Sequence, residues 1–357
     1  MKKILKCILL PVGILLLLIA AYVIYVFASY DRLEDNLPLT PTSGTEVPTE
    51  IPSRNTALRI VSYNIGFGAY SDDYSFFMDG GKESRARSPE AVYENIGGAM
   101  AAVQAAAPDL LFVQEVDSDG TRSHHIDERL LVTEAFPRYT SVFAQNYDSP
   151  YLFWPLTEPH GANAAGLMTL SRFPITSALR RSLPIEDGVM KLVDLDRCYA
   201  INRIPVENGK ELVLFNFHLS AYTSDGTIAE EQLKMLFADM TAEYEKGNYV
   251  IAGGDFNKDI LGNSPETFGV SDEGFTWAQP IPGELIPADF QIIAPLDENA
   301  PTASCRNADR PYGPDDYLVT VDGFIVSDNV TVTDSAVIDT QFRWSDHNPV
   351  FMDFILQ

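Results

Sequence analysis

Several apolar strand patterns in this sequence end on, or contain, a polar group that a hydrophobic core has no use for. Asn64 closes LRIVSYN, Glu115 closes DLLFVQE, His218 closes LVLFNFH, and Asp255 and Asn257 close YVIAGGDFN. Asp322 sits inside LVTVDGFIV, and Ser345-Asp346-His347 precedes NPVFMDF. Carboxylate and amide oxygens are hard ligands suited to a divalent cation, and imidazoles and carboxylates move protons. Asp255 and Asn257 lie two apart, so on extended chain they project from one face and can be aimed at one ligand. Gly253 and Gly254 before them permit unusual backbone angles or a close backbone approach. Taken singly, each residue has an ordinary reading: Asn64 a turn, Glu115 a solvated strand end, His218 a satisfied core histidine, Asp322 a turn acid, Asp346 a loop cap. Their recurrence at strand ends along the whole chain argues for one site.

The elements that must carry these residues alternate between strand and helix. LRIVSYN and DLLFVQEV are strand patterns, and between them Ser88 caps and Pro89 opens a helix running through AMAAVQAAA to Pro108. TSVFAQN, GLMTLS and ELVLFNFHL are further strands. From Thr227 to Lys246, Leu233, Leu236, Phe237, Met240 and Tyr244 share one helical face, and Gly247 stands where the helix should stop. VTVDGFIVS, NVTVTDSAVI and NPVFMDFIL close the chain as strands.

Composition sets outer bounds. The 357 residues are 46% hydrophobic, enough for a substantial core. Against 25 Lys and Arg stand 50 Asp and Glu, a formal net charge of -25, which disfavours general nucleic-acid binding unless a local basic groove overrides it. Lys2, Lys3 and Lys6 precede an uncharged apolar stretch from Cys7 to Tyr30, long enough to span a bilayer. The positive flank predicts a cytoplasmic N-terminus and everything after Tyr30 on the other side, as a single-pass protein of the cell membrane. Val26-Phe27-Ala28 offers a signal-cleavage alternative, but its apolar core is unusually long for one. Residues 31–56 are rich in Pro, Ser and Thr and predict an extended tether, with the folded domain covering residues 57–357. Of the 3 cysteines, Cys198 and Cys305 form no repeated framework and read as buried small hydrophobes, their pairing left open.

The motifs SYN at 62–64, QE at 114–115, HL at 218–219, GDFN at 254–257, VDGF at 321–324 and SDHNP at 345–349 together resemble the endonuclease/exonuclease/phosphatase family. GDFN and SDHNP in this order carry most of the resemblance. It implies a four-layer α/β sandwich, two mixed sheets face to face with helices outside, and a site at one edge of both sheets. It also implies hydrolysis of a phosphate ester with Mg²⁺, Mn²⁺ being the other candidate. Such esters resist attack because the phosphoryl oxygens already carry negative charge, so a catalyst needs a cation, an oriented water and donors around those oxygens. On that basis Glu115 is the expected metal ligand, with Asn64 and Asp346 in or next to its shell. Asp255 is expected to orient and deprotonate the water beside Asn257, His347 to serve as cation or acid/base fixed by Asp322, and His218 to donate to a phosphoryl oxygen.

Other stretches are less decided. Arg172 is a candidate substrate contact because Arg binds phosphate bidentately, with a surface ion pair as its ordinary reading; Arg197 and Arg203 share that ambiguity. RSHHIDE, residues 122–128, reads as a solvated loop rather than a second metal site. The aromatic, Pro-rich YDSPYLFWPLTEPHG, residues 147–161, either lines a substrate mouth, touches a membrane or packs on the sandwich. Within a phosphoesterase the substrate is a phospholipid headgroup, a nucleic acid outside the cell, or a small phosphate ester or nucleotide. A catalytically silent binding module on the same fold is disfavoured because every expected position is filled. A serine hydrolase is disfavoured because G-x-S-x-G does not occur. Oligomeric state is not legible.

Overall fold

Two seven-stranded sheets are built from the strand patterns above, seen in a computed structural model that describes every residue except 1, 187, 189, 190, 192–194, 222–226, 272, 274 and 276, with residues 2–5 described by backbone only. The strands, in chain order, are β1 (Leu37–Leu39), β2 (Thr42–Ser43), β3 (Ala57–Asn64), β4 (Leu110–Gly120), β5 (Thr140–Asp148), β6 (Asn163–Ser171), β7 (Ser177–Ser182), β8 (Cys198–Pro205), β9 (Glu211–His218) and β10 (Tyr249–Asp255). They continue as β11 (Phe290–Ile293), β12 (Cys305–Arg306), β13 (Leu318–Val319), β14 (Asp322–Ser327), β15 (Val330–Val337) and β16 (Val350–Leu356). One sheet runs β1-β7-β8-β9-β10-β14-β11, the other β15-β16-β3-β4-β6-β5-β2, and β12-β13 form a small ribbon. Both large sheets are mixed: β3 pairs β4 and β9 pairs β10 in parallel, while the remaining large-sheet pairs are antiparallel.

Side-chain alternation explains the layering. Ile60 and Phe112 face inward to Leu214, Ile251 and Phe324 of the opposite sheet. Their neighbours Val61 and Leu111 face outward, against Val92 and Ile96 of α2 (Pro89–Ala105) and Val132 of α3 (Glu128–Ala135). On the far side, Leu233, Leu236 and Met240 of α4 (Thr227–Tyr244) cover Val213, Phe215 and Val250. The result is the expected four-layer α/β sandwich. The Ser88 hydroxyl accepts from the Ala91 N–H at 3.2 Å and Pro89 opens α2, the N-terminal signature read in the sequence. A short α5 (Ser264–Phe268) lies near β13.

A polar seam crosses the apolar interior beneath one sheet edge. Gln114 of β4 donates to Asn216 Oδ1 of β9 at 2.9 Å and meets Ser62 of β3. Asn216 in turn donates to the Met168 carbonyl of β6 at 2.8 Å. Buried amides are retained only when paired, so this seam fixes the two sheets against each other directly behind Glu115.

The N-terminal segment departs from expectation. α1 (Lys2–Ser29) contains a 24-residue window, Lys6–Ser29, long and apolar enough to cross a membrane. The stretch after it is not a free tether over its first part. Asp35 accepts from Ser182 N and Arg181, β1 pairs β7, and β2 pairs β5, so this stretch completes an edge of both sheets. Arg54 N donates to Glu207 and Asn55 N to the Leu356 carbonyl farther on. Extended, Pro-rich chain has the right backbone for an edge strand, and that physical similarity is why it reads as a linker. Cys198 and Cys305 are separate buried thiols, so they do not pair.

Candidate active site

Strand register assembles the first half of the site. Asp255, last in β10, pairs across to His218 of β9 on one side and to Asp322 of β14 on the other. The second half comes from the opposite sheet: Asn64 ends β3, and Glu115 follows Gln114, the rung partner of Asn64 on β4. The parallel pairs β3/β4 and β9/β10 end at the same edge, and there the two halves meet. Asn64 Nδ2 donates to Glu115 Oε1 at 3.1 Å and to Asp255 Oδ2 at 3.1 Å.

The two glycines before Asp255 are required by this packing. Gly254 has φ +144°, and a Cβ there would lie 1.9 Å from the Phe217 carbonyl oxygen of β9. A Cβ on Gly253 would lie 2.7 Å from the Phe324 ring. Glu115 and Asn257 adopt φ +56° and +51°, uncommon for residues with side chains, and both turn polar groups toward the cavity. Asp255 Oδ1 accepts from Asn257 N at 2.7 Å, while Asn257 Nδ2 donates to the Leu219 carbonyl.

The two histidines hold different charge. Burial opposes protonation of His347, but Asp322, hydrogen-bonded to Nδ1 at 2.7 Å, outweighs it and keeps the imidazole well above its ordinary range. Burial, with Arg197 and His347 nearby, pushes His218 well below its ordinary range, so this ring is neutral. Its Nε2 stands 3.4 Å from Asp255 Oδ2, and His347 Nε2 stands 3.8 Å from the same oxygen. Burial raises the Asp255 carboxyl strongly, with His347 opposing and Asp322 adding to the rise. The arrangement therefore combines a basic carboxylate, a cationic imidazole and a neutral one around a single oxygen.

The donor set suits a hard divalent cation. Burial raises the Asp346 carboxyl, His347 opposes, and the negative charge of Glu115 adds to the rise, so two carboxylates share one corner that a cation would relieve. Asn64 differs from expectation in detail: its amide nitrogen faces the carboxylates, and its oxygen accepts from Gly66 N at 3.1 Å. As placed, it bridges Glu115 and Asp255 instead of presenting a ligand oxygen; turning the amide over would exchange the two atoms. Asp255, Asp322 and His347 also bring ligand atoms within 4.8 Å of one another, although the facing atoms of Asp322 and His347 are joined in their hydrogen bond.

The chain matches the endonuclease/exonuclease/phosphatase family over residues 61–347. It belongs to that family. Solved structures agree on the fold: a family protein from Beutenbergia cavernae is 19% identical with TM-score 0.54, covering 84% of this chain and 72% of that one. A family protein from Bacteroides vulgatus is 14% identical with TM-score 0.52, covering 85% of this chain and 100% of that one. ANGEL2, described as a 2',3'-cyclic phosphatase, is 15% identical with TM-score 0.55, covering 90% of this chain and 99% of that one. No curated protein matches the chain.

Beyond the family motifs, the cavity over the site is lined by Arg122, Asn146, Tyr147, His160, Arg197 and Trp277. Arg122 corrects the reading of residues 122–128 as solvated loop: it is buried, holds Asp117 at 2.8 Å, and lies 4.0 Å over the Phe67 ring. His125 fits the loop reading, meeting Asp119 at the surface, whereas His124 is half-buried with its Nε2 2.7 Å from the Ala86 carbonyl oxygen. The available signal was Asp117, two residues beyond Glu115 on one strand. Arg172 is not brought to the site; it pairs Asp109 at 2.9 Å, near the opposite end of β4, where Leu110 meets Ser171. Arg203 pairs with Glu211 and Glu243.

His160 gives the fold an acid-sensitive point. Its ring packs among Phe67, Phe76 and Phe77, and burial together with Arg122 pushes its pKa down to about 4. A histidine neutral when folded but titrating at about 6.5 when unfolded contributes stability that is complete above the upper value and lost as pH falls to the lower one. At 1.36 kcal/mol per unit the loss is about 3 kcal/mol. Urea midpoints of wild type and His160→Gln should therefore converge as pH falls through that window; parallel curves would show that His160 is not held neutral.

Proposed function

We propose that the chain is a membrane-tethered, divalent-metal-dependent phosphoesterase, hydrolysing a phosphodiester or phosphomonoester outside the cytoplasm. The observation that carries this reading is the Asp322–His347 pair aimed at Asp255, with Asn64 joining Asp255 to Glu115. Glu115 and Asp346 would hold Mg²⁺ or Mn²⁺, with Asn64 next to them fixing the Glu115 carboxylate through its amide nitrogen, and the ion would supply charge neutralisation at the phosphoryl group and a more acidic water.

The remaining work falls to the chain. Asp255 takes a proton from the attacking water; its burial makes it a stronger base, and the Asn257 N–H and Asn64 amide hold its two oxygens in place. As the water oxygen bonds to phosphorus and the ester P–O bond breaks, His347 donates from Nε2 to the phosphoryl or leaving oxygen. Asp322 fixes the tautomer and stabilises the cation. Neutral His218 supplies one further hydrogen bond. Apolar helix α1 and the lysines before Cys7 support a single-pass anchor with the catalytic domain beyond it.

The net charge of -25 favours a phospholipid headgroup, nucleotide or other small ester over a long nucleic acid. The test is the purified full chain, with Mg²⁺, with Mn²⁺ and with chelator, against phosphomonoesters, phospholipids, DNA and, in view of ANGEL2, a 2',3'-cyclic nucleotide. Metal-stimulated release of one ester class is expected. Turnover of every class unaffected by chelator would refute the metal assignment, and no turnover of any class would favour a silent binding module.

A further inference from the structure

Beyond the anchor itself, the loop between β5 and β6 carries apolar side chains that the domain leaves uncovered. Phe153 is 52% exposed, Trp154 65% and Leu156 77%. The loop is not slack. Leu152 and Gly161 exchange backbone hydrogen bonds at 3.0 Å, His160 N donates to the Trp154 carbonyl at 3.1 Å, and His160 Nδ1 meets the Ser84 carbonyl at 2.7 Å. A fastened loop that presents three adjacent apolar side chains to water needs something to cover them.

Its position says what that is. Tyr22 and Tyr25, in the last turns of α1, reach this loop: the Tyr22 hydroxyl donates to the Tyr151 carbonyl, Tyr151 N donates to the Tyr25 hydroxyl, and the Tyr22 ring packs edge-on against Phe153 at 5.1 Å. The chain after α1 gives the domain no room to drift away. Arg32 donates to the Leu183 carbonyl and pairs with Asp196 at 3.9 Å, and at most ~3.5 Å per residue separates it from Ser29. The window of α1 is about 36 Å long at 1.5 Å per residue, against a hydrocarbon core of about 30 Å, so its last turns emerge in the interfacial layer. Tyr and Trp concentrate in that layer because one end of each ring is apolar and the other wet. The same loop borders the catalytic cavity through His160, and Leu195, next to Asp196, lines it from the other side.

We propose that the loop is a second membrane contact, in which Phe153, Trp154 and Leu156 enter the interfacial layer beside the end of α1 and hold the mouth of the catalytic cavity against the lipid surface. This rests on the reading of α1 as a membrane anchor. The partner is the bilayer interface, entered through aromatic and aliphatic side chains and not through charge, which the acidic composition would oppose. It follows that a phosphate ester borne on a lipid headgroup is presented directly to Asp255 and His347, whereas a soluble ester must reach the same mouth from the side.

The test uses the full chain in nanodiscs of zwitterionic phosphatidylcholine, with acyl chains brominated either near the headgroup or near the bilayer centre. Tryptophan fluorescence should be quenched, more by the shallow bromines than by the deep ones, and Trp154→Phe should abolish that quenching while Leu156→Glu reduces it. All these residues are exposed, so the variants keep their fold, and circular dichroism checks it. A chain that enters the discs but shows no quenching, or the same quenching in Trp154→Phe, overturns the loop contact and leaves the anchor standing. A chain that stays in the aqueous fraction overturns the anchor and the loop contact together. Neither outcome bears on phosphoesterase activity, which is measured separately.

Discussion

Asp255→Asn is expected to lower kcat by about 10²-fold or more, the scale for loss of a positioned general base, with little change in melting temperature. The side chain lies under the cavity with one oxygen accepting from Asn257 N at 2.7 Å and the other from Asn64 at 3.1 Å. Asn keeps an acceptor for Asn257 and loses the one facing Asn64, but it also removes a buried charge that desolvation opposes, and the two effects offset in the fold. They do not offset in the reaction, because an amide takes no proton from water. A purely structural turn residue would leave both rate and melting temperature nearly unchanged, since Asn fits a strand-end turn as well as Asp does. Steady-state kinetics on whichever ester the wild type hydrolyses with Mg²⁺ decides it. If Asp255→Asn keeps most of its rate, the base assignment is wrong.

Much of this arrangement was legible because the sequence places chemistry where periodicity forbids it. A parallel-sheet strand buried on both faces reads as a continuous apolar run, so a polar residue at its end stands out: Asp255 after YVIAGG and His218 after LVLFNF are cases. The register that sets Asp255 between His218 and Asp322 was not legible, because strand order across a sheet depends on long-range pairing that no local pattern encodes. Arg122 was missed for a related reason. An Arg in a hydrophilic run looks solvated, and only the fold shows that Asp117 and Phe67 enclose it. The edge strands β1 and β2 were read as tether because Pro-rich chain is extended whether or not a sheet edge receives it. The aromatic loop could not be decided locally, since burial and exposure of Phe153 and Trp154 depend on what the fold packs beside them, and it leaves both exposed.

Glu115→Gln is expected to weaken metal activation by at least the 10- to 100-fold seen for lesser, second-layer changes around metals, with part of the activity restored at high Mg²⁺. The substitution preserves shape: one amide orientation still presents an acceptor to Asn64, and the backbone at φ +56° is unaffected by exchanging carboxylate for amide. What it removes is the charge that a hard cation seeks and that also helps to raise the Asp346 carboxyl. Two cation positions compete here. If the ion sits between Glu115 and Asp346, Glu115→Gln shifts the Mg²⁺ dependence and weakens Mn²⁺ binding measured by electron paramagnetic resonance, whereas Asp322→Asn slows turnover without moving either. If it sits instead among Asp255, Asp322 and His347, whose ligand atoms lie within 4.8 Å of one another, the two variants exchange behaviour. The hydrogen bond between His347 Nδ1 and Asp322 Oδ2 argues for the first position, because a cation in the second would have to displace it and set its charge against a protonated imidazole. Unchanged Mn²⁺ binding in Glu115→Gln would remove Glu115 from the ligand set and return it to a role in holding Asn64.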